Sequence, residues 1–340
     1  MGDYALLVAP SANRMYRDDA PRLLAAELKI MCSARGVELT EVHSQQIAGV
    51  DYVRMSAADE LALARLVAVS SAPYALFARE RDLLRPVVLP PWARYSDDLV
   101  TIPKYTGKTN EQFTSLLLNV TLAASGRPSL LTEGRGTVLD PVCGRGTTLS
   151  LALLRGLNAV GVDVDHKDVE AYSTFVKTWA RTHRLPHQHS FAPVRRNKKT
   201  IAQRLDVELY ADRAEQKAGR GQKLSVLVAD TTASSQYVRP GSVDVIVGDL
   251  PYGVAHGSHR GHDLSRRADD LLLSAMPTWA SLLCPGGALG LSFNTRTLRR
   301  ATVQEACESA GLTVADYGEV FAHRVDSSIH RDLVVAAAPR

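Results

Sequence analysis

The chain has few cysteines and no long apolar run. Its four cysteines are scattered without the C-x-x-C spacing of a zinc site or a disulfide framework. No apolar run reaches the roughly 18 residues that a membrane span needs, and the N-terminus lacks the basic-then-apolar grading of a signal peptide. We therefore expect a cytoplasmic protein that contacts no membrane and holds no metal.

Length and composition indicate an ordinary globular chain with two units. Apolar residues make up 45% of the 340 residues and charged residues 22%, so a core can form. A chain of this length exceeds a typical single domain, which favours a catalytic domain with a smaller companion. The net charge of +4 is compatible with a polyanionic partner, although many proteins without one share it. Nothing in the sequence predicts the oligomeric state.

Residues 1–88 are expected to form a small α+β domain. Short apolar stretches predict strands, and apolar residues at helical spacing predict core-facing helices. The predicted strands are Ala5–Ala9, Leu39–Ser44 and Tyr52–Met55, and the predicted helices are Leu23–Cys32 and one from Asp59 to about Arg79.

Residues 89–130 are expected to form a proline-rich linker and a helix leading into the next domain. Prolines at positions 90, 91 and 103 interrupt any long helix. Thr109 and Glu111 precede an apolar run and predict a capped helix start.

From residue 131 to residue 340, strands alternate with helices in the order of an α/β domain. This rhythm predicts a mostly parallel sheet covered on both faces, with ligands at the carboxyl ends of its strands.

Residues 186–223 interrupt this alternation of strands and helices as a basic insertion. Ten Lys or Arg but four acidic residues lie between Arg184 and Lys223. The insertion is either a solvated, partly helical excursion or a phosphate-contacting surface, with candidate substrate-binding residues Arg195, Arg196, Lys198 and Lys199.

A glycine-rich turn lies between a predicted strand and a predicted helix, from Asp140 to Leu149. Its glycines let the backbone approach a ligand, and the helix start offers free N–H groups to an anion. A strand-end acid can hold an ammonium group but would repel a dinucleotide pyrophosphate, which argues for S-adenosylmethionine and against NAD. The candidate cofactor-binding residues here are Asp140, Cys143, Gly144, Gly146, Thr147 and Thr148.

Acidic residues also follow the next two strands. Asp163 is the first candidate to accept hydrogen bonds from ribose hydroxyls, and Asp165 is the second, with a helix N-cap as its alternative role. Asp230 and Thr231 follow the third strand and are candidates to contact the adenine.

The stretch Asp249-Leu250-Pro251-Tyr252-Gly253 directly follows the strand Val243–Val247. An exocyclic amine is a poor nucleophile because its lone pair is delocalised into the ring. A carboxylate and a backbone carbonyl that accept hydrogen bonds from its two N–H groups would favour the pyramidal nitrogen of the transition state. We predict catalytic roles for Asp249, Leu250 and Pro251, with Tyr252 stacking on an extruded base, and substrate-binding roles for Gly253, His256 and Arg260.

These motifs resemble those of the THUMP-associated N2-guanine tRNA methyltransferases over about Lys104 to Val335. The marks are the stretches Gly107–Glu111, Asp140–Leu149, Asp249–Gly253 and His323–Asp332. The resemblance implies a Rossmann-like, seven-stranded methyltransferase domain, S-adenosylmethionine as the methyl donor, and guanine N2 in tRNA as the acceptor. It also implies that residues 1–88 are a ferredoxin-like domain without the full THUMP domain that family members carry.

Three other functions use the same residues. A DNA adenine-N6 or cytosine-N4 methyltransferase needs the same Asp-x-Pro-Tyr geometry. A small-molecule amine N-methyltransferase is suggested by the missing THUMP domain. A non-catalytic RNA-binding protein is suggested by the basic insertion, although the retention of Asp140, Asp163 and Asp249 argues against it.

Overall fold

The computed structural model describes residues 1–11, 13–105, 107–251 and 261–340, the last range without the side chains of residues 261–267. Two β-sheets are present, one of five strands and one of ten within the described residues. None of the helices described is long and apolar enough to cross a membrane.

The five-stranded sheet is antiparallel and has the strand order β2-β3-β1-β4-β5. Helices α1 and α2 bury their apolar sides against one face of it. Pro86 lies in the edge strand β5, where its missing N–H removes no central sheet bond. The elements are β1 (Gly2–Val8), α1 (Arg14–Ala34), β2 (Leu39–Ile47), β3 (Val50–Ala57), α2 (Glu60–Val69), β4 (Pro73–Glu80) and β5 (Leu83–Val87).

One predicted helix of this region is wrong in its length. The helix that was expected to reach about Arg79 ends at Val69, and Pro73–Glu80 is a strand paired with β1. Proline lacks a backbone N–H and disfavours helical geometry in the residue before it. Helix α1 accommodates Pro21, but here Ser70 caps the end of α2 and the chain pairs with β1 from Pro73 onward. The apolar residues on both sides of the break produced the mistaken helical pattern.

The segment between the sheets contributes to the core. It contains α3 (Asp98–Thr101), α4 (Glu111–Ala124) and α5 (Leu130–Glu133). Most side chains of α4 are buried, and α4 contacts both α1 and the large sheet. The side chain of Asn110, rather than that of Thr109, caps α4 by accepting hydrogen bonds from the backbone N–H groups of Gln112 and Phe113. The Thr109 hydroxyl is therefore available for another contact.

The remaining elements build the large sheet and its covering helices. They are β6 (Thr137–Asp140), α6 (Thr147–Leu154), β7 (Asn158–Asp163), α7 (His166–Thr182), β8 (His187–Arg196), β9 (Lys199–Leu209), α8 (Arg213–Lys217), β10 (Gln222–Val228), a 3-10 helix (Thr231–Gln236), β11 (Val243–Asp249), α9 (Gly261–Leu282), β12 (Leu283–Asn294), α10 (Arg300–Ser309), β13 (Thr313–Val314), β14 (His323–Arg324) and β15 (His330–Ala337).

The large sheet is mixed and has the order β13-β15-β12-β11-β6-β7-β10-β9-β8, with β14 beside β15. Strands β10, β7, β6, β11 and β12 are parallel, whereas β15 and β9 run against them. The strand order reverses between β6 and β11, and open α/β sheets bind ligands in the crevice at such a switch point. The described part of this sheet has ten strands rather than seven, because β8, β9 and β14 are added.

The basic insertion is a β-hairpin followed by the short helix α8, so it is partly helical and mostly strand. Asn197 and Lys198 form its two-residue turn with φ of 50° and 65°. Val228 at the carboxyl end of β10 pairs with Gln203 of β9. Residues 199–202 therefore extend about 13 Å beyond that strand end, at 3.4 Å per residue. The hairpin tip projects from the edge of the sheet where ligands are expected.

A buried polar network joins the two sheets. Glu27 of α1 is fully buried, and its carboxylate accepts hydrogen bonds from Asn119 of α4 at 2.5 Å and from the backbone N–H of Ser71 at 3.2 Å. Burial raises the pKa of Glu27 to about 7, while these hydrogen bonds act in the opposite direction. The network fixes α1 against α4 because each of these donors needs an acceptor away from water.

Replacement of Glu27 by Ala should lower the free energy of unfolding by about 3 kcal/mol, because it leaves the Ser71 and Asn119 donors buried without an acceptor. Lys29→Ala, on the exposed side of the same helix, should change it by less than about 0.5 kcal/mol. Urea denaturation of both variants measures the difference. If the free energy of unfolding changed by the same small amount in both variants, the network would not stabilise the contact between α1 and α4.

Candidate active site

A cavity of about 310 Å³ lies at the switch point of the large sheet. Two groups of predicted residues line it, one from the glycine-rich turn after β6 and one from the end of β11. Val138 of β6 pairs with Val245 of β11, so Asp249 lies about 7 Å farther along the strand direction than Asp140. The predicted residues in the lining are Asp140, Cys143, Gly144, Thr147, Thr148, Asp249, Leu250 and Pro251.

The glycine-rich turn has the backbone conformation that only glycine adopts easily. Gly144 has φ of 48° and open space where a side chain would project, so its backbone is accessible from the cavity. Gly146 has φ of 76° and is the N-cap of α6. A Cβ atom at Gly146 would lie 2.5 Å from the ring of Tyr172. Gly146 therefore allows α6 to begin close to α7 and does not line the cavity.

Asp163 holds this turn against β7. Its carboxylate accepts the backbone N–H of Gly144 at 2.7 Å and that of Asp165 at 2.9 Å. Asp163 is outside the lining of the cavity, and its predicted ribose contact stays a prediction. The observed role is to position the backbone of Gly144.

Asp140 is the buried acid of the cavity, with 4% of its surface exposed. Burial raises its pKa to about 7. Hydrogen bonds from the Thr148 side chain and from the backbone N–H of Val142, at 3.1 Å, act in the opposite direction, and the negative charges of Asp163 and Asp249 add to the rise. A cation that enters the cavity would favour the ionised form of Asp140, so this carboxyl group is suited to bind an ammonium group.

Cys143 is a buried thiol beside the turn. Burial raises its pKa well above the usual value, so the thiolate that a nucleophile requires does not form readily. A Cβ atom at Gly161 would lie 2.8 Å from the Cys143 sulfur, which shows how closely the turn packs on β7.

Asp249 is held by three partners from three parts of the chain. The Thr109 hydroxyl donates to its Oδ2 atom at 2.6 Å, and the Ser292 hydroxyl donates to its Oδ1 atom. The guanidinium of Arg331 lies 3.6 Å from Oδ2 and stacks on the ring of Phe113, 4.5 Å from its centroid. The carboxylate is fixed in direction and still 21% exposed toward the cavity.

Sequence reasoning missed Thr109, Ser292 and Arg331 as site residues. Thr109 and Arg331 belong to stretches that carry the family resemblance, but no chemistry was assigned to them. Ser292 is a polar residue with no exposed surface inside the apolar strand β12. Such a buried hydroxyl requires a partner, and that was the signal available in the sequence.

The rim of the cavity beside the glycine turn was also missed. Arg145 donates to Asp168 at 2.7 Å, and its guanidinium lies 5.0 Å from the ring centroid of Tyr105. The Tyr105 hydroxyl is 3.0 Å from that of Thr147. These contacts position an aromatic ring and a cation at the opening.

After Asp249, the chain continues along the cavity wall. The backbone N–H of Leu250 donates to the carbonyl of Ser292 at 2.9 Å, and Leu250 is 2% exposed. Pro251 is exposed at the cavity. Four predicted site residues lie outside the described residues, and their roles stay predictions: Tyr252, Gly253, His256 and Arg260.

The other predicted cofactor residues lie outside the cavity lining, and their cofactor roles stay predictions. Asp165 is the N-cap of α7 and accepts the backbone N–H of Lys167 at 2.8 Å, which is the alternative role foreseen for it. Asp230 caps the 3-10 helix. Thr231 is buried, and its hydroxyl accepts a hydrogen bond from the Trp279 indole at 2.9 Å.

The predicted substrate-binding cations of the insertion lie at the hairpin tip. All four are exposed and outside the cavity lining: Arg195, Arg196, Lys198 and Lys199. In the described part of the chain, no cluster of three or more His, Cys, Asp or Glu side chains could hold a metal ion.

No protein-family model and no curated protein matches the chain. Among solved structures it is similar to TrmN from Thermus thermophilus, with 13% identity over 99% of this chain and 100% of that chain and a TM-score of 0.47. An rRNA methylase from Streptococcus thermophilus has 12% identity over 61% of this chain and 89% of that chain, with a TM-score of 0.33. The structure of magnesium protoporphyrin IX methyltransferase from Synechocystis PCC 6803 with bound SAM is 15% identical over 69% of this chain and 86% of that chain, with a TM-score of 0.37. At such low identity, the function of this chain has to be argued from its own residues.

Replacement of Gly146 by Ala should lower the free energy of unfolding by about 3 kcal/mol, because a Cβ atom there meets the Tyr172 ring and the backbone is left-handed. Gly36→Ala is the matched control, since Gly36 has φ of 66° and no atom within 4 Å of the new Cβ. It should cost about 1 kcal/mol. Chemical denaturation of both variants separates the cost of the Tyr172 contact from the cost of the left-handed backbone. Equal losses of unfolding free energy in the two variants would mean that Tyr172 does not constrain the turn.

Proposed function

We propose that the protein is an S-adenosylmethionine-dependent methyltransferase that methylates an exocyclic amino nitrogen, with guanine N2 in tRNA or another RNA as the acceptor. The observation that carries the proposal is that one cavity joins a buried acid at a glycine turn to Asp249 of the Asp-Leu-Pro stretch.

The cavity fits the methionine end of the cofactor. Asp140 provides a carboxyl group for the ammonium, and the start of α6 provides backbone N–H groups and a favourable dipole for the carboxylate. Gly144 leaves room for the ligand to approach the backbone. When bound, S-adenosylmethionine supplies an activated methyl group on a sulfonium.

Asp249 is placed to bind the amino group of the acceptor. Thr109, Ser292 and Arg331 fix its carboxylate, so no reorientation is needed when an N–H group arrives. The nitrogen forms its new bond to the methyl group as that group leaves sulfur, and it must then lose a proton. An N–H group bonded to the Asp249 carboxylate has an acceptor in place for that proton.

The stretches that carry the family resemblance converge on this cavity. Thr109, Asp140 and Asp249 come from three separate marked stretches and line the cavity, and Arg331 from the fourth stretch contacts Asp249. This convergence supports membership of the THUMP-associated N2-guanine methyltransferases and the Rossmann-like assignment of the second domain.

The domain division stays part of the proposal. The element order β1-α1-β2-β3-α2-β4, with the sheet order β2-β3-β1-β4, is that of the split β-α-β motif. It supports a ferredoxin-like domain at residues 1–88, followed by the linker and helix at 89–130 and the methyltransferase domain at 131–340.

The basic hairpin supports a nucleic-acid substrate. Its tip carries four exposed cations and projects from the same edge of the sheet that holds the cavity. Cations on this edge suit the phosphates that flank a target base.

Transfer of labelled methyl groups to tRNA, ribosomal RNA and duplex DNA tests the proposed reaction. The wild type should label RNA, and Asp249→Asn should lower turnover by about a thousandfold because an oriented charged acceptor is lost. Its affinity for S-adenosylmethionine should stay near that of the wild type. Asp270→Asn, on the exposed surface of α9, should change neither quantity. Incorporation into DNA alone would reject the RNA acceptor in favour of the DNA methyltransferase alternative.

The affinity for S-adenosylmethionine should depend on the ionisation of Asp140. Its pKa is raised to about 7, so the carboxylate that attracts an ammonium is populated only as the pH rises toward that value. The dissociation constant should fall by about tenfold per pH unit below pH 7 and then level off. Calorimetric titration of the wild type and of Asp140→Asn measures this. A weak, pH-independent affinity is expected for the variant, and a flat profile in the wild type would contradict the assigned role.

A further inference from the structure

A second cavity, of about 380 Å³, lies at the junction of the N-terminal unit and the catalytic domain. Its walls come from the ends of α1 and α2, from the segment after β5 and from α5. The residues that give it chemical character are Arg35, Arg65, Pro91, Trp92 and Glu133.

Trp92 presents a firmly held aromatic ring to this cavity. The ring is 37% exposed, and the Arg155 guanidinium lies 5.1 Å from the ring centroid. Arg155 is buried and donates hydrogen bonds to the carbonyl of Val69 and to the Ser115 hydroxyl. Two residues after Trp92, the backbone N–H of Arg94 donates a hydrogen bond to the carbonyl of Leu154 at the end of α6, at 2.8 Å. The indole is therefore fixed before any ligand arrives.

The guanidinium of Arg155 is itself incompletely satisfied. Its Nε and Nη1 atoms are buried and have no hydrogen-bond partner in the described part of the protein. Burial lowers the pKa of Arg155 to about 10. The indole of Trp92 is one of the groups that stabilise this buried cation. The contact with Arg155 therefore holds the Trp92 ring against the core between the two units.

Two cations border the same cavity. Arg35 and Arg65 are exposed, and neither forms an ion pair with a described residue. Glu133 is the acidic residue of the lining. The cavity therefore combines an aromatic face, two arginines and a carboxylate, which match the base, the phosphate and an N–H group of the base in a nucleotide.

We propose that this cavity binds an unpaired nucleotide of the RNA substrate, with its base on Trp92 and its phosphate between Arg35 and Arg65. The proposal rests on the proposed function for the nature of the substrate. Gly146 caps the start of α6 at the active site, and Arg155 caps its other end beneath Trp92. The helix has eight residues, which is about 12 Å. The bound nucleotide is thus an anchor away from the methylated base.

Tryptophan fluorescence gives a direct test in the full-length protein with S-adenosylmethionine present. Of the three tryptophans, Trp179 and Trp279 are 3% and 0% exposed, so Trp92 is the one that solvent reaches. Oligouridylate should quench the fluorescence saturably, and Trp92→Phe should abolish that quenching. An equal, saturable quenching by polyglutamate would overturn the proposal, because it would indicate an acidic-peptide site.

Anisotropy of labelled oligouridylate then measures affinity. Trp92→Ala should weaken binding about tenfold, whereas Trp92→Phe should retain most of it because a stacking face remains. Arg65→Glu, on the exposed surface of α2, tests the phosphate contact without removing a buried group and should weaken binding at least as much. Arg181→Ala, an exposed arginine of α7, is the control and should have no effect. Unchanged affinity in both Trp92→Ala and Arg65→Glu would overturn the proposal.

The two proposals fail in distinguishable ways. Weaker oligouridylate binding in Trp92→Ala and Arg65→Glu, with unchanged calorimetric affinity for S-adenosylmethionine, supports the anchor site. An absence of methyl transfer to any RNA, with Trp92 quenching intact, contradicts the proposed reaction and leaves the binding site standing. Methyl transfer to RNA that both variants perform with unchanged KM contradicts the anchor site alone.

Discussion

The fixed direction of the Asp249 carboxylate is the constraint on which the rest of the site depends. Its partners come from the segment before α4, from β12 and from β15. These segments meet only because the large sheet places β11 beside β12, and β12 beside β15. The sheet topology thus sets the direction of one side chain, and a carboxylate held by two hydroxyl donors and a nearby guanidinium is preorganised to accept a further hydrogen bond.

The two acids of the cavity differ because their surroundings differ. Asp140 is buried and carries a pKa raised to about 7. Asp249 lies beside a guanidinium and two hydroxyl donors and remains partly exposed. Strand register separates the two acids along the sheet edge, which supports the separate roles that we propose for them. This division of roles between carboxyl groups follows from environment alone.

Sequence patterns predicted the alternation of strands and helices, and therefore the meeting of the glycine turn with Asp249 at one edge of a parallel sheet. They could not predict Thr109 or Arg331 as partners of Asp249, because such contacts depend on which strands become neighbours. Local signals were ambiguous in other places. Asp165 proved to be a helix cap, and apolar residues on both sides of Pro73 were mistaken for one helix. The strands of the basic hairpin were not predicted, because strand pairing at the edge of a sheet leaves little periodic signal in a basic segment.

We propose that the cavity beside Asp249 accepts the amino group of a guanine in RNA. Mass spectrometry of nucleosides from cells with and without the gene is the decisive measurement. N2-methylguanosine in tRNA should fall when the gene is removed and return with the wild-type gene. Unchanged RNA nucleosides together with a loss of methylated adenine or cytosine from DNA would contradict it.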